Sequence, residues 1–99
     1  MFQSGFGWTR VTADSTITQG KCVVAGLIIN ASVDAGDVSL YDGLDTLSGR
    51  LFDTFQGLAN ESKTISFPAP IHFDSGLMID VGSNITSVVV IWLPLPKDN

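Results

Sequence analysis

The sequence predicts an all-β protein, a single antiparallel β-sandwich or jelly-roll-like domain of about eight short strands. Three observations predict it. Polar and apolar residues alternate with period two through Trp8-Thr-Arg-Val-Thr12, Asp37-Val-Ser-Leu-Tyr-Asp42 and Lys63-Thr-Ile-Ser-Phe67. β-Branched residues crowd the runs from Cys22 to Asn30 and from Ile85 to Leu93. Gly, Asn, Asp and Pro punctuate the chain every ~8–12 residues, the spacing of turns in a sandwich.

In chain order, 1–7 is an aromatic, glycine-rich arm containing Phe2 and Phe6. Trp8–Thr12 is the first strand, and Ala13-Asp14-Ser15 turns the chain. Thr16–Gln19 is a short second strand ended by Gly20. Cys22–Asn30 is a long strand, apolar on both faces, in which Gly26 marks a bulge or a close backbone approach. Ser32–Gly36 turns into the alternating strand Asp37–Asp42, and 43–49 is a loop. Arg50–Gln56 is ambiguous by pattern: Leu51, Phe52, Phe55, Leu58 and Ala59 fit a helical face. Gly49 and Gly57 bracket a strand-length window with no capping box before it, so a strand is expected.

The last third organises the rest. Lys63–Phe67 is a strand broken by Pro68 and Pro70, each of which holds its predecessor extended. Leu77–Val81 restarts the pattern, Gly82-Ser-Asn84 turns, and Ile85–Leu93 is the most apolar segment of the chain. Pro94 opens a tail over 94–99.

Ninety-nine residues make one domain, 1–99, able to bury a core without metals or disulfides. Apolar residues are 44% of the chain and charged residues 15%, well under the usual ~25%, which excludes a disordered chain. A membrane span is not expected, because the longest apolar run already contains Pro94 while a spanning helix needs about twenty residues. The N-terminus has no basic region followed by an apolar core, so no secretory signal is read there. A lone cysteine, Cys22, fits a reducing compartment. The net charge is −5 and the five basic residues are scattered, so nucleic acid is not an expected partner.

Reaction chemistry is sparse. His72 is the single histidine and no nucleophile elbow accompanies it, so a packing or surface role outweighs catalysis. Cys22, at the head of an apolar strand, reads as a small hydrophobe. Asp34, Asp37, Asp42 and Asp45 crowd two turns, which raises calcium. The stretch Asp37–Gly43 lacks the alternating oxygen ligands and closing glutamate of an EF-hand, and aspartates bond turn backbone ordinarily. One Cys and one His do not make a zinc site. Asn30, Asn60 and Asn84 each open a glycosylation triplet but read more simply as turn residues at strand ends. No catalytic residue, cofactor or metal is expected, and the chain reads as a non-enzyme.

The anomaly is two-sided strands. Along Val88–Leu93 one face carries Val89, Ile91 and Leu93, and the other carries Val88, Val90 and Trp92. A sandwich strand shows one face to water, so either this is a central strand packed under loops or something further covers its second face. A neighbouring copy or the arm would do so, which nominates Phe2, Phe6, Trp8, Val88, Val90 and Trp92 as interaction residues.

In Asp37-Val-Ser-Leu-Tyr-Asp-Gly43, in Ser66-Phe-Pro-Ala-Pro-Ile-His-Phe-Asp-Ser-Gly-Leu-Met-Ile-Asp-Val81 and in the strand Ser87–Trp92, the chain resembles small β-sandwich virion proteins of tailed bacteriophages. The resemblance spans about Val23 to Leu93. It implies a capsid decoration or cement subunit, or a tail or collar part, often trimeric, bound to the major capsid protein or other virion proteins and assembled in host cytoplasm. It transfers no catalytic residues. The alternative is a carbohydrate- or receptor-binding module of a tail or fibre, which needs exposed aromatics such as Tyr41 or Trp8 beside polar groups in a groove.

Overall fold

The computed structural model describes residues 6–96. Phe2 and the other residues of 1–5, like 97–99, lie outside the described residues. Among them run eight strands and no helix: β1 (Gly7–Val11), β2 (Ser15–Thr18), β3 (Cys22–Ala31), β4 (Gly36–Asp42), β5 (Arg50–Gly57), β6 (Ser62–Phe73), β7 (Leu77–Val81) and β8 (Ile85–Pro94). They form two four-stranded sheets, β1-β8-β3-β6 and β2-β7-β4-β5.

The pairing is nested. β1 pairs with β8, β2 with β7, β3 with β6 and β4 with β5, all antiparallel, as if one long hairpin had been rolled into two layers. That is a jelly roll, and the all-β sandwich expectation holds. The β4–β5 hairpin closes the roll, and the remaining connections cross between sheets.

The core lies between the layers. Val24, Leu27 and Ile29 of β3 and Val88 and Val90 of β8 face Val38 and Leu40 of β4 and Leu77 and Ile79 of β7, all fully buried. Trp92 packs against this cluster, and its indole N–H donates to Thr9 Oγ1 at 3.0 Å. Cys22 is buried at the core edge opposite Phe73. Burial, then the charge of Asp42, push its thiol up to about 11, so it is the hydrophobe its position implied.

Gly26 sits where β3 shifts register against both neighbours. A Cβ there would overlap the Ile65 carbonyl oxygen, so the position requires glycine. Asn60 and Asn84 take positive φ, 59° and 72°, as turn asparagines do.

The segment 50–56 is the strand expected, since Phe55 pairs with Val38 and joins the core margin. Other boundaries differ from expectation. β6 does not stop at its prolines. The ladder to β3 steps from Gly26↔Ser66 to Val24↔Ile71, so Phe67-Pro-Ala-Pro70 bulges out opposite Ala25. β6 is an edge strand, where a missing N–H costs no ladder bond. At the termini, Gly7 already belongs to β1, and β8 extends to Pro94 with Leu95 N–H bonded to the Lys21 carbonyl at 3.0 Å.

Candidate functional site

Alternation fixes what each sheet shows to the outside. In the first sheet Val90 stands opposite Leu27 and Val88 opposite Ile29, all core residues. The intervening pairs therefore face outward: Val89 with Ile28, Ile91 with Gly26, Leu93 with Val23. β1 extends this surface, with Trp8 opposite Ile91 and Arg10 opposite Val89. Trp8 is 69% exposed, while Val89, Ile91, Leu93 and Ile28 are half-buried by their own neighbours. The result is a continuous apolar surface over the two central strands.

Its rim is polar. At one end Asn30 donates to Ser87 Oγ at 2.9 Å and accepts from the Ser62 hydroxyl. Along β6 the outward positions are Thr64, Ser66 and His72.

Charge divides the same way. β1, β3, β6 and β8 contain no Asp or Glu; their only formal charges are Arg10 and Lys63. Lys63 leaves the face, its Nζ bonding the Gln56 carbonyl on β5 at 3.3 Å. The second sheet carries Asp37, Asp42, Asp53 and Asp80 in its strands against Arg50 alone. Asp80 stands beside Asp14. Burial first, then the Asp14 charge and their hydrogen bond, hold the Asp80 carboxyl above the usual range. One side of the sandwich is greasy and free of acids; the other is acidic.

The expected interaction residues divide accordingly. Val88 and Val90 are covered by their own chain, which corrects their nomination: both point between the sheets because their ladder partners are core residues. Trp92 turns inward with them. Trp8 is on the outer face as nominated, Phe6 is half-buried just before β1, and Phe2 lies outside the described residues. Sequence reasoning missed Val89, Ile91, Leu93 and Ile28 as the outward set. Period two separates the two faces of β8 but does not say which is inside when both are apolar.

The turn aspartates serve the backbone. Asp45 Oδ1 accepts from the Leu47 and Ser48 amides at 3.0 and 2.7 Å and from Ser48 Oγ at 2.9 Å. The Ser48 amide and hydroxyl, chiefly, hold its carboxyl below the ordinary range. Asp42 accepts from the amides of Asp74 and Ser75 at 3.2 and 2.8 Å and meets Arg50 at 3.6 Å. Among the described residues no group of three or more His, Cys, Asp and Glu could hold a metal ion.

His72 stands opposite Val23 on the outer face, whereas Cys22 is turned into the core beside Phe73, so the two do not form a dyad. His72 instead borders a cleft of about 230 Å³ with Asp42, Arg50, Leu51, Phe52 and Phe73. This cleft opens where β5 and β6 meet, above an aromatic cluster in which Phe52 lies 5.4 Å from Phe73 and 5.9 Å from Phe67, ring centre to ring centre. Tyr41 is half-buried on the acidic sheet opposite Met78, and Trp8 is exposed on the apolar outer face of the first sheet.

Comparison of the chain with protein-family models, with curated proteins and with solved structures gave no match. What the described residues define is a fold: an eight-stranded jelly-roll sandwich whose first sheet has an apolar, acid-free outer face.

Proposed function

We propose that the chain is a non-enzymatic structural subunit of a virus particle, a capsid decoration or cement protein of the tailed-bacteriophage kind that self-associates and stabilises the shell. One observation carries the reading: the division of the sandwich into an acid-free apolar face and an acidic face. Monomers rarely leave a sheet face greasy without a use for it. Jelly rolls recur in viral capsids and in lectins, so the fold is compatible with the role without assigning it. The β4–β5 loop adds a second contact, with Leu44 45% and Leu47 96% exposed at one end of the sandwich. In this reading the partners are further copies of the chain and the major capsid protein or other virion proteins, and the chain resides in the virion.

Imaging the particle from which the chain comes tests this. Density for the jelly roll on the outer shell is expected, together with a higher temperature of particle disruption when the purified chain is added to particles lacking it. Particles without such density, indifferent to the added chain, contradict the proposal.

A second reading, a glycan- or receptor-binding module, draws on the cleft that brings Phe52 beside Asp42, Arg50 and His72. Saccharide-dependent chemical-shift changes confined to these residues support it; a blank glycan array removes it.

A further inference from the structure

We infer that the outer face of the β1-β8-β3-β6 sheet is closed by the same face of a second copy, giving a two-fold pair packed sheet on sheet. This rests on the reading of the chain as a self-associating subunit and names the partner of that face.

Size supports it. β3 and β8 are each ten residues long. At ~3.3 Å per residue and ~4.8 Å between four strands, the face measures about 33 by 19 Å, so two copies cover roughly 1,200 Å². That reaches the ~1,000 Å² which a specific interface needs.

Charge supports it independently. Each copy carries a net charge of −5, so most mutual orientations are repulsive. Face-to-face packing brings together the acid-free strands and puts Asp37 and Asp80, the acids at outward positions of the second sheet, on the far sides of the pair. Packing the apolar face onto the acidic face of another copy would instead bury carboxylates against Ile91 and Val89, which leaves them desolvated and unpaired.

Symmetry decides the number. A face packed on the same face of a second copy makes an isologous contact, which closes at two copies. Three copies cannot each bury this face against the same face of another in one closed ring, so the pair replaces the trimer that resemblance implied.

Sedimentation equilibrium on the full 99-residue chain tests the proposal. The wild type at micromolar concentration should weigh twice 10.5 kDa. Ile91→Asp and Val89→Asp, each leaving the circular dichroism spectrum unchanged, should weaken pairing by about 100-fold or more, because each buries an unmatched carboxylate. Ser39→Asp, on the opposite sheet, should leave the mass unchanged. A monomeric wild type, a trimeric mass, or a folded Ile91→Asp chain that still pairs overturns the proposal. The companion measurement is binding to the particle. A monomeric wild type whose particle binding is lost in Ile91→Asp overturns the pair while leaving the decoration reading standing. A pair that never binds particles supports the inference and contradicts that reading.

Discussion

Trp8 stands directly opposite Ile91 in the β1–β8 ladder, both turned away from the core. One position along the same strands, Thr9 pairs with Val90 and both turn inward. The outer surface and the interior of this domain are thus separated by single steps along one ladder, and that arrangement gives several contrasts that can be measured.

Substitution at adjacent residues of β8 should have opposite kinds of consequence. Val90→Asp puts a carboxylate among Leu27, Val88 and Leu40 and should leave the chain unfolded, since the cost of an unmatched buried charge rivals the stability of a whole small domain. Ile91→Asp should fold, with a melting temperature close to that of wild-type monomer. Thermal denaturation followed by circular dichroism distinguishes them; equal loss of structure in both contradicts the assignment of faces.

The edge strand β1 is tied to β8 by the indole bond from Trp92 to Thr9 Oγ1. Trp92→Phe keeps an aromatic ring against the core and removes the donor. A loss of about 0.5–1.5 kcal/mol is expected, which lowers the melting temperature by roughly 4–8 °C per kcal/mol in a domain of this size. Amide exchange should quicken in β1 more than in β3. Unchanged exchange in β1 would show that the bond does not hold the edge.

Gly26 holds the bulge shared by the β3–β6 and β3–β8 ladders. Gly26→Ala must displace the Ile65 carbonyl or open the ladder. A loss of about 1–3 kcal/mol is expected, the range for overpacking a tight site. Denaturant unfolding checks it, and a neutral or stabilising result contradicts the geometry.

The Asp14–Asp80 pair sets a pH dependence. The folded state raises the Asp80 carboxyl above its unfolded value, so it binds a proton more tightly than the unfolded chain does. This group therefore adds stability as pH falls through the raised value, and its contribution turns unfavourable once it ionises. Asp80→Asn should raise the melting temperature at neutral pH, and that advantage should shrink as pH falls toward the ordinary carboxylate range near ~4. Melting temperatures of both proteins across that range check it; an advantage constant with pH contradicts the cause. Asp45 works in the opposite sense, contributing above its unfolded value and losing that contribution on acidification through its lowered one.

Much of the fold was legible in the residues. Alternation located β1, β4 and β7, and Gly49 with Gly57 marked β5 as a strand against its helical spacing. Gly26 was readable as a bulge because a glycine inside an apolar strand has few other uses. The prolines of β6 misled, because only strand order reveals that β6 is an edge with no ladder bond to lose there. The second apolar face of β8 was legible in the sequence, but not which of its two faces points outward. Val88 and Val89 are equally apolar, and only the register against Ile29 and Ile28 settles which is inside. The charge partition is likewise invisible until strands distant in sequence are sorted into sheets.

Pairing proposed for the outer face of the β1-β8-β3-β6 sheet would cover Trp8, and the emission of that indole reads it out. The chain has two tryptophans, and Trp92 packs against the core whether or not copies pair, so a concentration-dependent change in emission reports Trp8. In a single chain Trp8 is 69% exposed and should emit like indole in water. Emission is expected to move red on dilution from micromolar concentration and to be already red-shifted in the Ile91→Asp background. Emission independent of concentration, identical with and without Ile91→Asp, would contradict the pairing.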